Sequence, residues 1–190
     1  MAHGFEKFCE DCHKAMAEDP GPGGREKVRL LLEKQLRNED FVKQYCDAMP
    51  FGIHELYHDK DLDFVVLSHV YEKGRESPPH DHGKSWAIYG QARLHTDMTV
   101  WDRNDDGSKE GYADIHVSKR FRLDPGMAGT FEPTVIHQIR FPEGARFVRI
   151  TGTDLNTIAT HRFVPEEKKI VVNKGIAAGS SDVSQMRSAT

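Results

Sequence analysis

The sequence predicts a mainly β protein, a sandwich or barrel of jelly-roll type, preceded by a helical segment. Two observations predict it. Residues 5–48 place their apolar side chains at helical spacing. From Ile53 to Val172 the apolar positions instead fall in short β-type runs divided by Gly, Pro, Asp and Asn. A third observation bounds the size: 190 residues at 37% hydrophobic content make one domain with a real core, or one domain with an appendage.

The elements follow in order. Residues 5–17 read as a helix, with Phe5, Phe8, Cys9, Cys12 and Met16 on one face. The run from Asp19 through Pro20, Gly21, Pro22 and Gly23 to Gly24 breaks it. A second helix covers 25–37, with Val28, Leu31, Leu32 and Leu36 inward. Asn38 caps a third that runs to about Ala48, with Phe41, Val42 and Tyr45 inward, and Met49-Pro50-Phe51-Gly52 ends it. Strands are expected at 53–58, 63–71, 86–90, 92–101, 111–121, 128–131, 135–141, 145–151, 158–164 and 169–173. The division is a helical segment over 1–50 packed on a barrel over 51–173, then a small, polar and mobile tail over 174–190. No repeat of fixed period is visible.

Composition excludes several classes. With a net charge of −4 and no basic stripe, nucleic acid is not an expected partner. No apolar run approaches the ~20 residues of a membrane helix. The first residues lack the apolar core of a signal peptide, which makes a cytoplasmic location the expectation. Cys9, Cys12 and Cys46 are an odd number without framework spacing and read as reduced thiols. Cys9-Glu10-Asp11-Cys12-His13 matches a haem-attachment pattern, but both cysteines fall on the apolar helical face and read as small apolar residues. Asp102 to Gly107 resembles the first half of a calcium loop. The residue at its twelfth position is Ala113 and its flanks are strands, so a hairpin turn is the better reading.

Chemistry concentrates in the histidines, of which there are 11. Gly74 is followed after five residues by His80, Asp81 and His82. Two histidines at i and i+2 on a strand share a face one pleat apart, as a shared metal requires. Pro78 and Pro79 donate nothing to a ladder, which places the approach at an edge or rim.

This Gly-x5-His-x-His run resembles the first half of the cupin motif. Asp124-Pro125-Gly126, Phe131-Glu132-Pro133 and Ile136-His137 resemble the second half, which supplies one more histidine. The resemblance implies a double-stranded β-helix barrel with a divalent metal on His80, His82 and His137. Cupins usually add a Glu four or five residues after the second histidine; Trp86 and Ala87 stand there instead. Three-histidine cupins include the thiol dioxygenases. Leu56 to Asp59, Phe64 to Leu67, Pro79 to Gly83 and Trp86 to Gly90 are similar to the bacterial cysteine and 3-mercaptopropionate dioxygenases. The similarity covers about 54–95 well and continues loosely through His137 and 145–165.

The resemblance implies iron(II), O2 and a small anionic substrate, a thiol carboxylate converted to its sulfinate. Tyr71, Trp86, Ala87, Tyr89 and Arg162 would line the pocket. Imidazole ligands by themselves leave Zn, Ni, Cu and Mn open, and the chain is expected as monomer or homodimer. Three departures stand out. Ala87 excludes the Cys–Tyr crosslink of the animal enzymes. No Arg lies between Asn38 and Arg75, where the family grips a carboxylate; His54 and His58 occur instead. The Ser-His-Tyr relay would fall near Arg149, Thr151 and Thr153, so its His and Tyr are missing. Arg162 offers a carboxylate partner on a loose alignment, which favours 3-mercaptopropionate over cysteine. Two other readings stay open: a three-histidine oxygenase cleaving a diketone or enol, and a metal-binding module without turnover. His69, His95 and His116 read as structural, and His161 as part of the rim.

Overall fold

Helix α1 spans His3–Glu18, and its apolar stripe is buried as its spacing requires: Phe5, Phe8, Cys9, Cys12 and Met16. The computed structural model describes residues 3–175. The break after α1 is shorter than expected. α2 spans Pro22–Leu36, because a proline at the first helical position gives up an N–H that has no partner anyway. Asp19 closes the corner by accepting from the Gly21 N–H at 2.7 Å, and Arg25 reaches back to the Pro20 carbonyl at 2.8 Å. A side chain at Gly24 would put its Cβ 1.8 Å from the Asp19 carbonyl oxygen, so the corner requires glycine. Asn38 caps α3 (Glu39–Val42) through the N–H groups of Asp40 and Phe41 at 3.1 and 3.4 Å. The helix then widens into a π turn over Lys43–Asp47.

Eleven strands follow among the described residues: β1 Gly52–His58, β2 Val65–Val70, β3 Arg75–Glu76, β4 Ala87–Arg93, β5 Thr96–Arg103, β6 Ile115–Leu123, β7 Ala128–Phe131, β8 Ile136–Phe141, β9 Arg146–Thr151, β10 Thr160–Val164 and β11 Lys169–Asn173. Their pairing is nested. β2 pairs with β9, β3 with β8, β4 with β7 and β5 with β6, all antiparallel. A ribbon folded on itself and rolled in this way is a jelly roll. Ladders β4·β9 and β5·β8 complete two sheets, β1-β2-β9-β4-β7 and β3-β8-β5-β6. The β10–β11 hairpin joins the second sheet through His80, which bridges both His137 and Arg162.

Period-two alternation divides the core in two. Val66, Ile88, Val148 and Ile150 face the helices and meet Phe8, Cys12, Leu32 and Leu36. Ala87, Tyr89, Met98, Phe131, Phe141 and Phe147 face the barrel interior. At Gly90 a Cβ would lie 2.6 Å from the methyls of Leu32 and Leu36, so glycine lets α2 lie flat on β4. β4 therefore continues through Gly90 to Arg93, where the sequence reading broke it, and the turn falls at Leu94, whose φ is 61°. β3 has only two residues, both exposed, and left no apolar pattern to read. β6 begins at Ile115 rather than 111.

The Asp102–Gly107 loop is a hairpin closed by Asp105, which takes the Arg103 guanidinium and the N–H groups of Gly107 and Asp114. All three cysteines are free and buried, and burial pushes the thiols of Cys9 and Cys46 up to about 12. The CxxC thiols thus sit in the helix–barrel core, as the apolar-stripe reading requires. Among the described residues no helix is long and apolar enough to cross a membrane. The expected mobile tail lies outside the described residues from 176 onward.

Candidate metal centre

Chain leaving β3 runs beside β8. His80 and His137 exchange backbone hydrogen bonds, each N–H donating to the other's carbonyl at 2.9 Å. Directly opposed antiparallel residues project to the same side, so the two imidazoles meet. The second edge of this segment is also paired: Phe163 N–H donates to the Pro79 carbonyl at 2.8 Å, and Asp81 N–H to the His161 carbonyl at 3.0 Å. The prolines therefore lie between β8 and β10, not at an edge. Pro79 is tolerated there because only its carbonyl is used.

Asp81, between the two histidines, points the other way. Its carboxylate, 5% exposed, accepts from Gly83 N–H at 2.9 Å, from His161 N–H at 3.0 Å and from His161 Nδ1 at 2.9 Å. Gly83 then turns the chain with φ +56°, and a Cβ there would sit 2.1 Å from the Ala159 carbonyl oxygen. One buried carboxylate and one obligatory glycine thus fix His82.

The ligand atoms of His80, His82 and His137 all lie within 4.8 Å of one another. Ring centroids are 5.3 Å apart for His80–His82, 4.4 Å for His80–His137 and 4.7 Å for His82–His137. Nδ1 of His80 donates to the Pro78 carbonyl, and Nδ1 of His137 to the Val135 carbonyl, each at 3.0 Å. Those bonds select the tautomer that leaves Nε2 with a free lone pair. Nε2 of His137 is buried with no hydrogen-bond partner, an orphaned acceptor that a metal ion would satisfy. Nε2 of His82 lies 3.3 Å from the Tyr89 hydroxyl. Burial lowers the proton affinity of all three rings, so they are neutral donors at pH 7. No carboxylate among the described residues joins them. Three imidazoles within reach of one point fit a divalent transition metal and leave its charge unneutralised.

A second acid–histidine group, His13, Asp59 and Asp61, is of another kind. Asp59 already accepts from Tyr57 at 3.0 Å, Leu62 N–H at 2.8 Å, Asp61 N–H at 3.1 Å and His13 at 2.8 Å. It caps a turn and ties α1 to the β1–β2 connection.

The expected pocket residues separate. Ala87 and Tyr89 face the interior, and Tyr71 stacks there on Phe141 and Phe147. Trp86 does not join them. It lies on the helix-facing side of the sheet, packed in that core and against Gly152, as the residue preceding Ala87 must in a period-two strand. Arg162 pairs through its backbone with His80, but its side chain is exposed. His69, expected to be structural, is 2% exposed on the interior wall; it stacks on Phe147 at 4.6 Å, lies 3.3 Å from the Tyr71 hydroxyl, and has an unpartnered Nε2. His95 and His116 lie at the surface of the second sheet, and His161 is held by Asp81.

Two residues of the site escaped sequence reading. Asp81 was passed over as the spacer between two ligands. Arg149 was noted only as a gap in a relay. The available signal was its strand: β9 reads Arg-Phe-Val-Arg-Ile-Thr, and an arginine between Val148 and Ile150 in a strand covered on both faces needs a reason.

No protein-family model matches the chain, and no curated protein does. Solved structures of similar shape include KdgF from Halomonas sp., 14% identical over 52% of this chain and 74% of that one, with a TM-score of 0.39. The cupin domain of Cnp3 from Schizosaccharomyces pombe is 12% identical over 57% of this chain and 71% of that one, at 0.42. The DMSP lyase DddQ from Ruegeria pomeroyi DSS-3 is 13% identical over 53% of this chain and 45% of that one, at 0.38.

Proposed function

We propose that the chain is a mononuclear non-haem iron(II) oxygenase of the cupin type that converts a small thiol carboxylate to its sulfinate. The observation that carries this is the convergence of three neutral imidazoles, without a ligand carboxylate, in a jelly-roll interior walled by aromatic rings. His80, His82 and His137 would hold the iron, which supplies the redox chemistry that lets O2 react with a thiolate. An uncompensated divalent charge favours an anionic substrate and keeps a coordinating thiol deprotonated.

The reaction balances without a co-reductant. Both oxygen atoms of O2 form bonds to sulfur, the O–O bond breaks, and sulfur gives up all the electrons that O2 gains. The chain's own residues position and exclude. Phe131, stacked on His137 at 4.3 Å, and Phe147 keep water from the interior. Burial raises the Tyr89 hydroxyl above its usual range, so it stays protonated and can donate a hydrogen bond beside His82.

One observation favours a second reading. The positions of the thiol dioxygenase relay hold Arg149, Thr151 and Thr153, which favours a metal-binding module without turnover; the second enzyme reading is a three-histidine oxygenase acting on a diketone or enol. Oxygen uptake by anaerobically iron-loaded protein decides between them. The first reading expects uptake with 3-mercaptopropionate, more readily than with cysteine, and a product heavier by two oxygen atoms. Uptake with acetylacetone alone replaces it with the second. Full iron loading with no uptake on any substrate leaves a binding module.

A further inference from the structure

β9 is the middle strand of its sheet, between β2 and β4, and both its faces are covered. Val148 and Ile150 face the helices, so Phe147, Arg149 and Thr151 face the interior. In register, Arg149 stands beside Tyr89 of β4 and Leu67 of β2. Its neighbour along the strand, Arg146, pairs with Asp47 at 3.6 Å. Arg149 has no acidic partner among the described residues, and its Nε is buried without a hydrogen-bond partner. The side chain as a whole is half-buried and within reach of the Tyr89 hydroxyl, so its guanidinium still lacks the counter-charge that an anion would supply.

We propose that Arg149 forms an anion seat inside the barrel, separate from the three histidines, that takes the carboxylate of the substrate. This rests on the reading of the site as one for a small anionic substrate and names the residue that selects it.

The surroundings match a carboxylate. Arg149 stands opposite Tyr89 in register, and the Tyr89 hydroxyl lies 3.3 Å from His82 Nε2, so the guanidinium shares a wall with the candidate metal centre. The wall is aromatic: His69, Tyr71 and Tyr89 pack there around Phe147. The guanidinium fork matches the two oxygens of a planar carboxylate. His69 Nε2 and Thr151 Oγ1 are buried, unpartnered polar atoms of the same interior face. Arg162, by contrast, is exposed and pays little to remain unpaired.

The test is calorimetric titration of metal-loaded protein, under anaerobic conditions, with 3-mercaptopropionate, its neutral amide and propionate, with metal content measured in parallel. Wild type is expected to prefer the acid to the amide by about tenfold or more. Arg149→Gln should bring the ratio close to one with metal content unchanged, Arg149→Lys should keep part of the preference, and Arg162→Gln should keep all of it. If Arg149→Gln fails to fold, Arg149→Lys and the shift of the Arg149 Nε–H resonance of wild type on adding propionate carry the test. A preference that survives Arg149→Gln, an Arg149 resonance that propionate leaves unmoved, or a wild type with no preference for the acid overturns the seat. Arg149-dependent binding of propionate in a protein that oxygenates no thiol keeps the seat and removes the thiol dioxygenase reading instead.

Discussion

At the scale of single residues, the candidate metal centre is positioned by groups outside its three histidines. Asp81 holds the turn between His80 and His82 through three donors. Asp81→Ala should leave the barrel folded but weaken metal binding by about 10–100-fold, as loss of an orienting contact does; competition with a chelator reads this directly, and unchanged affinity would remove Asp81 from the site. Tyr89→Phe should keep the metal while cutting turnover, because its hydroxyl lies beside a ligand without being one. The cluster was legible in sequence in two ways: spacing puts His80 and His82 on one face, and the resemblance of the run from Asp124 to His137 to the second half of the cupin motif points to His137. Arg149 was not legible, since its meaning depends on which face of β9 is interior, and that is set by strands distant in sequence. Trp86 was misplaced for a related reason: one residue of shift along a strand changes the face.

At the scale of elements, the contact of α2 with β4 turns on one missing methyl. Gly90→Ala forces Leu32 and Leu36 away and should destabilise the fold by about 1–3 kcal/mol, measured as a lower urea midpoint. Removing the α3 cap with Asn38→Ala should cost about 1 kcal/mol in the same assay, since the N–H groups of Asp40 and Phe41 lose their acceptor. The helices were legible because their stripes repeat over several turns. Most strands were legible through punctuation. β3 was not, because its pairing with β8 is set by what lies opposite and its own two residues are charged and exposed.

At the scale of the whole molecule, a barrel lined with neutral histidines ties stability to pH. Burial holds the proton affinity of His69 well below the 6.5 of a free imidazole. As pH falls below that value the unfolded chain takes up a proton that the folded chain refuses. His69's contribution is therefore complete above about pH 6.5 and lost below it, by at most about 1.4 kcal/mol per pH unit for one proton. Metal-free protein should thus show a Tm that declines from pH 7 to pH 5, and His69→Phe, which keeps the stack on Phe147, should make that decline shallower. An identical slope in the variant would show that His69 is protonated in the folded state.

The proposed function rests on one metal ion at His80, His82 and His137. The most direct measurement is the metal-to-protein ratio after anaerobic loading with iron(II) and desalting, in wild type and in His137→Ala. The account predicts close to one metal per chain in wild type and little in the variant, with the variant's circular dichroism unchanged. A folded His137→Ala protein that retains a full equivalent of metal would contradict it.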